Sequence, residues 1–192
     1  MSKRLLMTIL GMAIVIAQLW REVRPLRAQL HQLRDETGRL SIDDPTKTHV
    51  IQVRQADDYT WKWRVWIPDG RAYQVKMATQ NIPATGFPTN TGTIKADQPG
   101  EMWIEYRIHP NSDGNWVDKL STKFARVGGS PQPWVNWSRK KSMSEGASYH
   151  GHVAEPGEKI LLSRFRVSQK ATNSTKIEDP SAGFMIWLEP TK

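Results

Sequence analysis

Residues Tyr59–Ile67 read YTWKWRVWI, which places three tryptophans and two cations in nine residues. Such a stretch is a stacking platform for sugars or bases, a membrane-interface anchor, or a packed strand, and the choice sets the fold. On a strand, alternate side chains share a face. Trp61, Trp63, Val65 and Ile67 then point one way, and Lys62, Arg64 and Trp66 the other. Beyond Pro68-Asp69-Gly70-Arg71 the pattern repeats, with Tyr73, Val75 and Met77 alternating with Ala72, Gln74 and Lys76. Two indoles beside Val and Ile on one face suit a sheet interior. Burying that apolar area stabilises by several kcal/mol, at about 25 cal/mol per Å². The motif is read as a packed strand, and the two runs as a hairpin. Trp66 stands among cations, where it either covers the outer face or stacks on a sugar or base.

Outward from this stretch, short alternating runs recur between Gly, Pro, Asn and Asp. Candidate strands are 48–54, 60–67, 72–78, 101–109, 115–126, 134–138, 159–168 and 183–189. That spacing predicts an all-β sandwich, jelly-roll or Ig-like, over residues 48–192. A second hairpin is expected across Pro110-Asn111-Ser112-Asp113-Gly114. Met102, Ile104, Tyr106 and Ile108 share a core face, as do Phe184, Ile186 and Leu188. Trp103 and Trp187 fall on the opposite faces, forming an outward patch or lying beneath long loops.

The N-terminal part has a different texture. Met1-Ser2-Lys3-Arg4 precedes an uncharged apolar run, Leu5–Trp20, of 16 residues. This is slightly under the roughly 17–25 residues of a spanning helix. A cleaved signal peptide ending near Val15-Ile16-Ala17 is one reading and an uncleaved signal anchor over 1–20 is the other. A stripe from Leu5 through Ile9, Met12, Ile16 and Leu19 continues to Leu33 and Leu40. A cleaved peptide has no need of register with the mature chain, so the anchor is preferred, with Trp20 as its interfacial aromatic. Lys3 and Arg4 argue for a cytoplasmic N-terminus, although Arg21, Arg24, Arg27 and Arg34 crowd the other flank. The expectation is a single-pass protein in contact with the bilayer through 5–20, its C-terminal body outside the cytoplasm. Residues 21–40 read as a helical stalk, with Pro25 at a kink or a new start and Gly38 as a stop. Self-association through this helix is a further expectation. Residues 41–47, SIDDPTK, read as a polar linker.

Formal net charge is +8, yet it is spread along the chain. Residues 1–47 carry eight Lys/Arg against five Asp/Glu, and the remainder nineteen against fourteen. A nucleic-acid binder more often clusters its basic face, so nucleic acid is not an expected partner. The sequence contains no cysteine, which excludes disulfides, thiolate catalysis and Cys-based zinc sites. There is no Walker loop, GxGxxG, GxSxG or HExxH. The Asp43-Asp44 and Asp57-Asp58 pairs sit in expected turns, where Asp bonds locally. Asn136-Trp137-Ser138 and Asn173-Ser174-Thr175 fit the glycosylation triplet, which matters only in a eukaryotic secretory pathway.

Two segments carry candidate chemistry. Gly128–Gly151 holds Trp134, Trp137 and the run Arg139-Lys140-Lys141, a combination able to bind anionic polymers or glycans, or else a solvated basic loop. His150-Gly151-His152 with Glu155 invites a metal reading. It is similar to the cupin signature in its paired histidines and glutamate. Only two residues separate His152 from Glu155, however, and the second cupin motif is missing. A surface turn is the competing reading, and no resident cofactor is expected.

The runs ETGRLSIDDPTKTHVIQVR, YTWKWRVWIPDGRAYQV and NIPATGFP, within residues 1–90, together resemble uncharacterised signal-anchored proteins of planctomycete bacteria. The resemblance implies a membrane helix, a leucine-rich stalk and a β domain in a bacterial envelope. It supplies no activity. The expected function is an exported interaction module whose partner is envelope protein, cell-wall glycan or lipid headgroup. The contrasting class is a metal-dependent, cupin-like enzyme using His150, His152 and Glu155.

Overall fold

A computed structural model describes residues 38–55, 57–137, 142–147, 150–168 and 177–191. It also describes Met12, Gln18, Trp20, Arg21, Val23, Arg24 and Pro25; Asn136 and Trp137 are described in backbone only. Those seven N-terminal residues are helical and fall in one compact unit, Met1–Thr37. Gly38–Lys192 forms the other. Most of the expected anchor (1–20) and stalk (21–40) lies outside the described residues. Among the described residues no helix is long and apolar enough to cross a membrane.

The second unit is mostly β. Its strands are β1 (Thr48–Val53), β2 (Thr60–Ile67), β3 (Tyr73–Thr79), β4 (Gly92–Ala96), β5 (Gly100–Pro110) and β6 (Trp116–Thr122), then β7 (Arg126–Pro131), β8 (Ser142–Gly146), β9 (His152–Ala154), β10 (Ile160–Val167) and β11 (Ala182–Pro190). They form two antiparallel sheets, ordered β7-β6-β5-β2-β1-β9 and β4-β3-β11-β10-β8. One apolar core joins them. Trp63, Val65 and Ile67 from β2 are fully buried, as are Val75 on β3 and Phe184 and Ile186 on β11. Trp61 packs edge-on against Phe184 at 4.6 Å between ring centroids. The YTWKWRVWI stretch is therefore a packed strand, and its inward face is the one that alternation predicts. Met102, Ile104, Tyr106 and Ile108 on β5 are buried beside it.

The first expected hairpin is corrected. β2 pairs with β1 and β5, and β3 pairs with β4 and β11 in the opposite sheet. The Pro68–Arg71 turn, closed by Arg71 N–H donating to the Pro68 carbonyl at 3.2 Å, carries the chain across the sandwich. A hairpin keeps both apolar faces on one sheet. An arch lets those faces meet each other, and alternation is the same in both cases. The second hairpin, β5–β6, forms as expected, with Pro110 opposite Trp116. The expected strand over 134–138 is instead a 3-10 helix, Pro133–Trp137, in a segment with prolines at 131 and 133.

Each outer face is covered differently. On the first sheet Arg64 bonds Glu101 at 2.9 Å and Lys62 lies 5.5 Å over the Trp103 ring. Residues 41–47 are fixed to this unit: Trp66 Nε1–H donates to the Pro45 carbonyl at 3.1 Å, and His49 Nε2 to that of Asp44 at 2.6 Å. On the second sheet, Trp187 and Met185 point outward as expected but are buried with Ala78 and Ile82. Phe87, in the β3–β4 connection, reaches the Trp187 ring at 5.4 Å.

One core group works against its neighbours. Asp118, 1% exposed, accepts from Gly129 N–H at 3.1 Å and Ser130 N–H at 2.8 Å, while its Oδ2 is buried without a partner. Burial pushes its carboxyl above the usual range, the backbone bonds only partly opposing this. A carboxyl whose pKa is raised by folding favours the folded state below its unfolded pKa, and that contribution is lost as pH rises through the folded pKa. Asp118→Asn keeps the acceptor and replaces a buried unpaired charge with a neutral amide, the less costly of the two. The variant is expected to melt above the parent at pH 7. The gap should close as pH falls below about 4, the ordinary carboxylate range. Thermal melts of both chains across that window check it.

Candidate functional site

The sequence candidates scatter. Trp134 is 1% exposed in the core, its ring 5.6 Å from Phe165 and its Nε1–H donating to Gln132 Oε1 at 2.6 Å. It is not on offer to a ligand in solvent, and that part of the anionic-polymer reading is corrected. The Trp137 side chain and Arg139, Lys140 and Lys141 lie outside the described residues. Trp66 is half-buried and bonded to the 41–47 segment. His150, His152 and Glu155 are exposed, and Glu155 is ion-paired with Lys47. That pair keeps the Lys47 ammonium above its usual range, chiefly through the hydrogen bond it donates to the Glu155 carboxylate. Among the described residues no three His, Asp or Glu side chains form a metal-holding group. His150, His152 and Glu155 are all described, so the HGH segment does not assemble the expected triad. The physical reason is local: His152 opens β9, paired to Val50, while Glu155 lies past its end and turns to Lys47.

The structure builds a site elsewhere, on the twelve residues between β3 and β4. A cleft of about 490 Å³ opens there, lined by Ala78–Asn81, Pro83 and Thr85–Asn90. Its size falls within the roughly 300–1,000 Å³ of ligand clefts. The described lining is neutral: Thr79, Gln80, Asn81, Thr85, Thr89 and Asn90 supply hydroxyls and amides, and Phe87, Pro83 and Pro88 supply apolar surface.

The sequence dictates the shape locally. β3 ends at Thr79, and Gln80 and Asn81 then take left-handed φ of 66° and 49°. Two successive L-residues in this region cost about 1–2 kcal/mol each, less for Asn. Such strain persists only where the surroundings over-determine it. Here they do. Gln80 N–H donates to Gly183 O at 3.0 Å, and Ile82 and Ser181 exchange backbone bonds of 2.7 and 3.0 Å. Ala84 N–H donates to Asp179 Oδ1 at 2.8 Å.

From beneath, the Arg164 guanidinium of β10, 8% exposed, donates to the carbonyls of Ala84 at 2.9 Å and Gly86 at 2.6 Å. It also pairs with Glu145 of β8. Charge-assisted forks of this kind fix a backbone in place. Phe87, 38% exposed, rests on Trp187 with the Lys159 ammonium 5.3 Å from its ring. Lys159 and Lys76 both pair with Glu189, holding that carboxyl below its usual range mainly through their hydrogen bonds. The loop is thus rigidly mounted, while its six polar side chains make no hydrogen bond to other described residues.

Alternation had nothing to register in this segment. The available signals were Pro83, Gly86 and Pro88 in a long connection rich in Thr and Asn, and a connection of that length without strands is commonly functional. NIPATGFP stood out only as part of the planctomycete resemblance. A scan against protein-family models and searches of curated proteins and of solved structures each found no match to this chain.

Proposed function

We propose that this chain is a membrane-anchored envelope protein whose exported β body is a binding module, engaging its partner through the cleft on the Gln80–Thr91 loop. The observation that carries the reading is the cleft itself, a braced loop whose neutral polar side chains are uncommitted. Binding residues on loops held by a rigid scaffold are the common arrangement in sandwich proteins. Among the described residues nothing lining the cleft is a nucleophile–base pair or a metal set, so a binding role fits it better than hydrolysis. Anchoring through 5–20 rests on the basic start, the apolar run and Trp20, and pairing of two chains through the N-terminal helix on its leucine stripe. Met12 and Trp20, each 62% exposed within the chain, agree with a helix that meets lipid or another helix. For the finer fold we favour a jelly-roll-like sandwich over an Ig-like one, because the chain crosses between the sheets repeatedly after β2, β4, β7, β8 and β9.

The test is a photo-reactive amino acid in place of Thr89 in the full-length chain, irradiated in intact envelopes, with Asp97 in the β4–β5 connection as the comparison site. Adducts are expected at position 89 and not at 97. Equal yields, or none at 89, would remove the cleft from consideration. Fractionation of the same cells should place the chain with membranes, and externally added protease should digest its body.

A further inference from the structure

We infer that the ligand of this cleft is an uncharged, hydroxyl-rich glycan chain, an assignment that rests on the binding reading above. Among the described residues no Lys, Arg, Asp or Glu lines the cleft. An anionic ligand would need cations or a nest of N–H groups aimed at it. Among the described residues, the two cations that touch this loop are spent: Arg164 is buried under it on two carbonyls and Glu145, and Lys159 is paired with Glu189.

What the cleft offers is amides. Gln80, Asn81 and Asn90 each present a carbonyl acceptor beside an NH₂ donor, and Thr85 and Thr89 present hydroxyls of both characters. A sugar hydroxyl is likewise donor and acceptor at once, so adjacent hydroxyls on a ring match an amide side chain at both ends. Carboxylates and ammonium groups offer one polarity only. The open part of the Phe87 ring, flanked by Pro83 and Pro88, supplies the apolar contact for the C–H side of a sugar ring. A peptide captured in extended form is held chiefly by main-chain bonds along a sheet edge and by pockets for alternate side chains. This lining is polar side chains on a connection between strands, which favours the glycan.

Rigidity completes the case. Each sugar hydrogen bond replaces one to water and adds little net affinity. A loop that must order itself on binding would lose that gain, and pre-organisation removes the loss. The braces from Arg164 and Asp179 and the Ile82–Ser181 bridge supply it.

The experiment uses the full-length chain in lipid nanodiscs, titrated with the neutral β-1,4-linked tetramers of N-acetylglucosamine and of glucose, and with the anionic tetramer of galacturonate. A neutral tetramer is expected to bind, with affinity unchanged between about 0.05 and 0.5 M salt. Asn81→Gly and Asn90→Ala together should weaken it by about tenfold or more, as two lost hydrogen bonds predict. Asn81→Gly relieves a left-handed residue, so folding is preserved, and Asn90→Ala alone is the second variant. Binding of galacturonate only, binding of no tetramer, or full affinity in the variants would overturn the assignment. The photo-adduct at position 89 separates this inference from the reading beneath it. An adduct whose attached mass releases monosaccharides on acid hydrolysis supports the glycan. An adduct whose attached mass releases amino acids and no sugar overturns the glycan and leaves the binding module standing, and no adduct overturns both.

Discussion

Gly183→Ala is expected to lower the melting temperature by roughly 5–15 °C. Gly183 lies near the start of β11, the middle strand of its sheet, at φ 139°. A Cβ there would sit 1.9 Å from the Phe165 carbonyl oxygen and 3.2 Å from the Arg166 Cα. Both are backbone atoms of β10, so no rotamer change relieves the overlap. Either β10 and β11 separate, which breaks the register from Phe165–Phe184 to Val167–Ala182, or residue 183 rotates out of its conformation. Overpacking costs about 1–3 kcal/mol and a forced backbone conformation about as much again. Gly70→Ala separates the two causes. Gly70 has φ 72°, but nothing lies within 4 Å of its would-be Cβ, so only the conformational cost applies. That control should lose about 1 kcal/mol, or some 2–4 °C. Equal losses in the two variants would show that the close approach of β10 and β11 does not exist. The Gly183 carbonyl also neighbours the cleft, because Gln80 N–H donates to it. A folded Gly183→Ala chain should therefore bind less well than its residual stability alone implies.

The legibility of the fold in the sequence depends on what each signal measures. Alternation reports which face of a strand is apolar, and it placed Trp63, Val65, Ile67, Ile104, Tyr106, Phe184 and Ile186 correctly because burial is a property of the single side chain. It carries no information on which strand lies alongside, so the Pro68–Arg71 arch passed for a hairpin. Strand β8, exposed at all five positions, and β4, with two small residues in five, offer too little apolar contrast to register. β9 is three residues long and contains His152, which drew attention as a ligand instead. The cleft was hidden for a further reason. Its braces come from Arg164 and Asp179, about 80 and 95 residues away in sequence from Ala84, and no local pattern announces a contact of that range. Trp134 misled because Trp beside Pro in a Gly-rich loop reads as exposed, whereas a single 3-10 turn is enough to drive it inward.

Trp134 gives the second large effect, and it decides what the indoles are for. The ring is 1% exposed and lies among Phe165 at 5.6 Å and Phe184 at 6.1 Å, with its N–H held by Gln132. Truncating a buried tryptophan costs about 3–5 kcal/mol, as lost transfer free energy and an unfilled cavity add. Trp134→Ala should thus melt some 6–20 °C below the parent. The Gln132 side chain, itself fully buried, would lose its partner and raise the cost. Trp66→Ala is the informative contrast. Trp66 is half-buried on the outer face and donates to the Pro45 carbonyl. Its loss should cost about 1–2 kcal/mol, from one hydrogen bond and part of a ring's area. The measurable consequence is local: the 41–47 segment, held also by His49, should exchange its amide hydrogens faster while the sandwich keeps its protection. If Trp134→Ala instead melted with the parent and changed only ligand binding, the ring would have to be open to solvent and the core described here would lack its wall beside Phe165 and Phe184. If both variants melted alike, the distinction between core and covering tryptophans would fail. The ordering of the two melting temperatures, measured on the same full-length background, is therefore a direct reading of which side of the pleat each indole occupies.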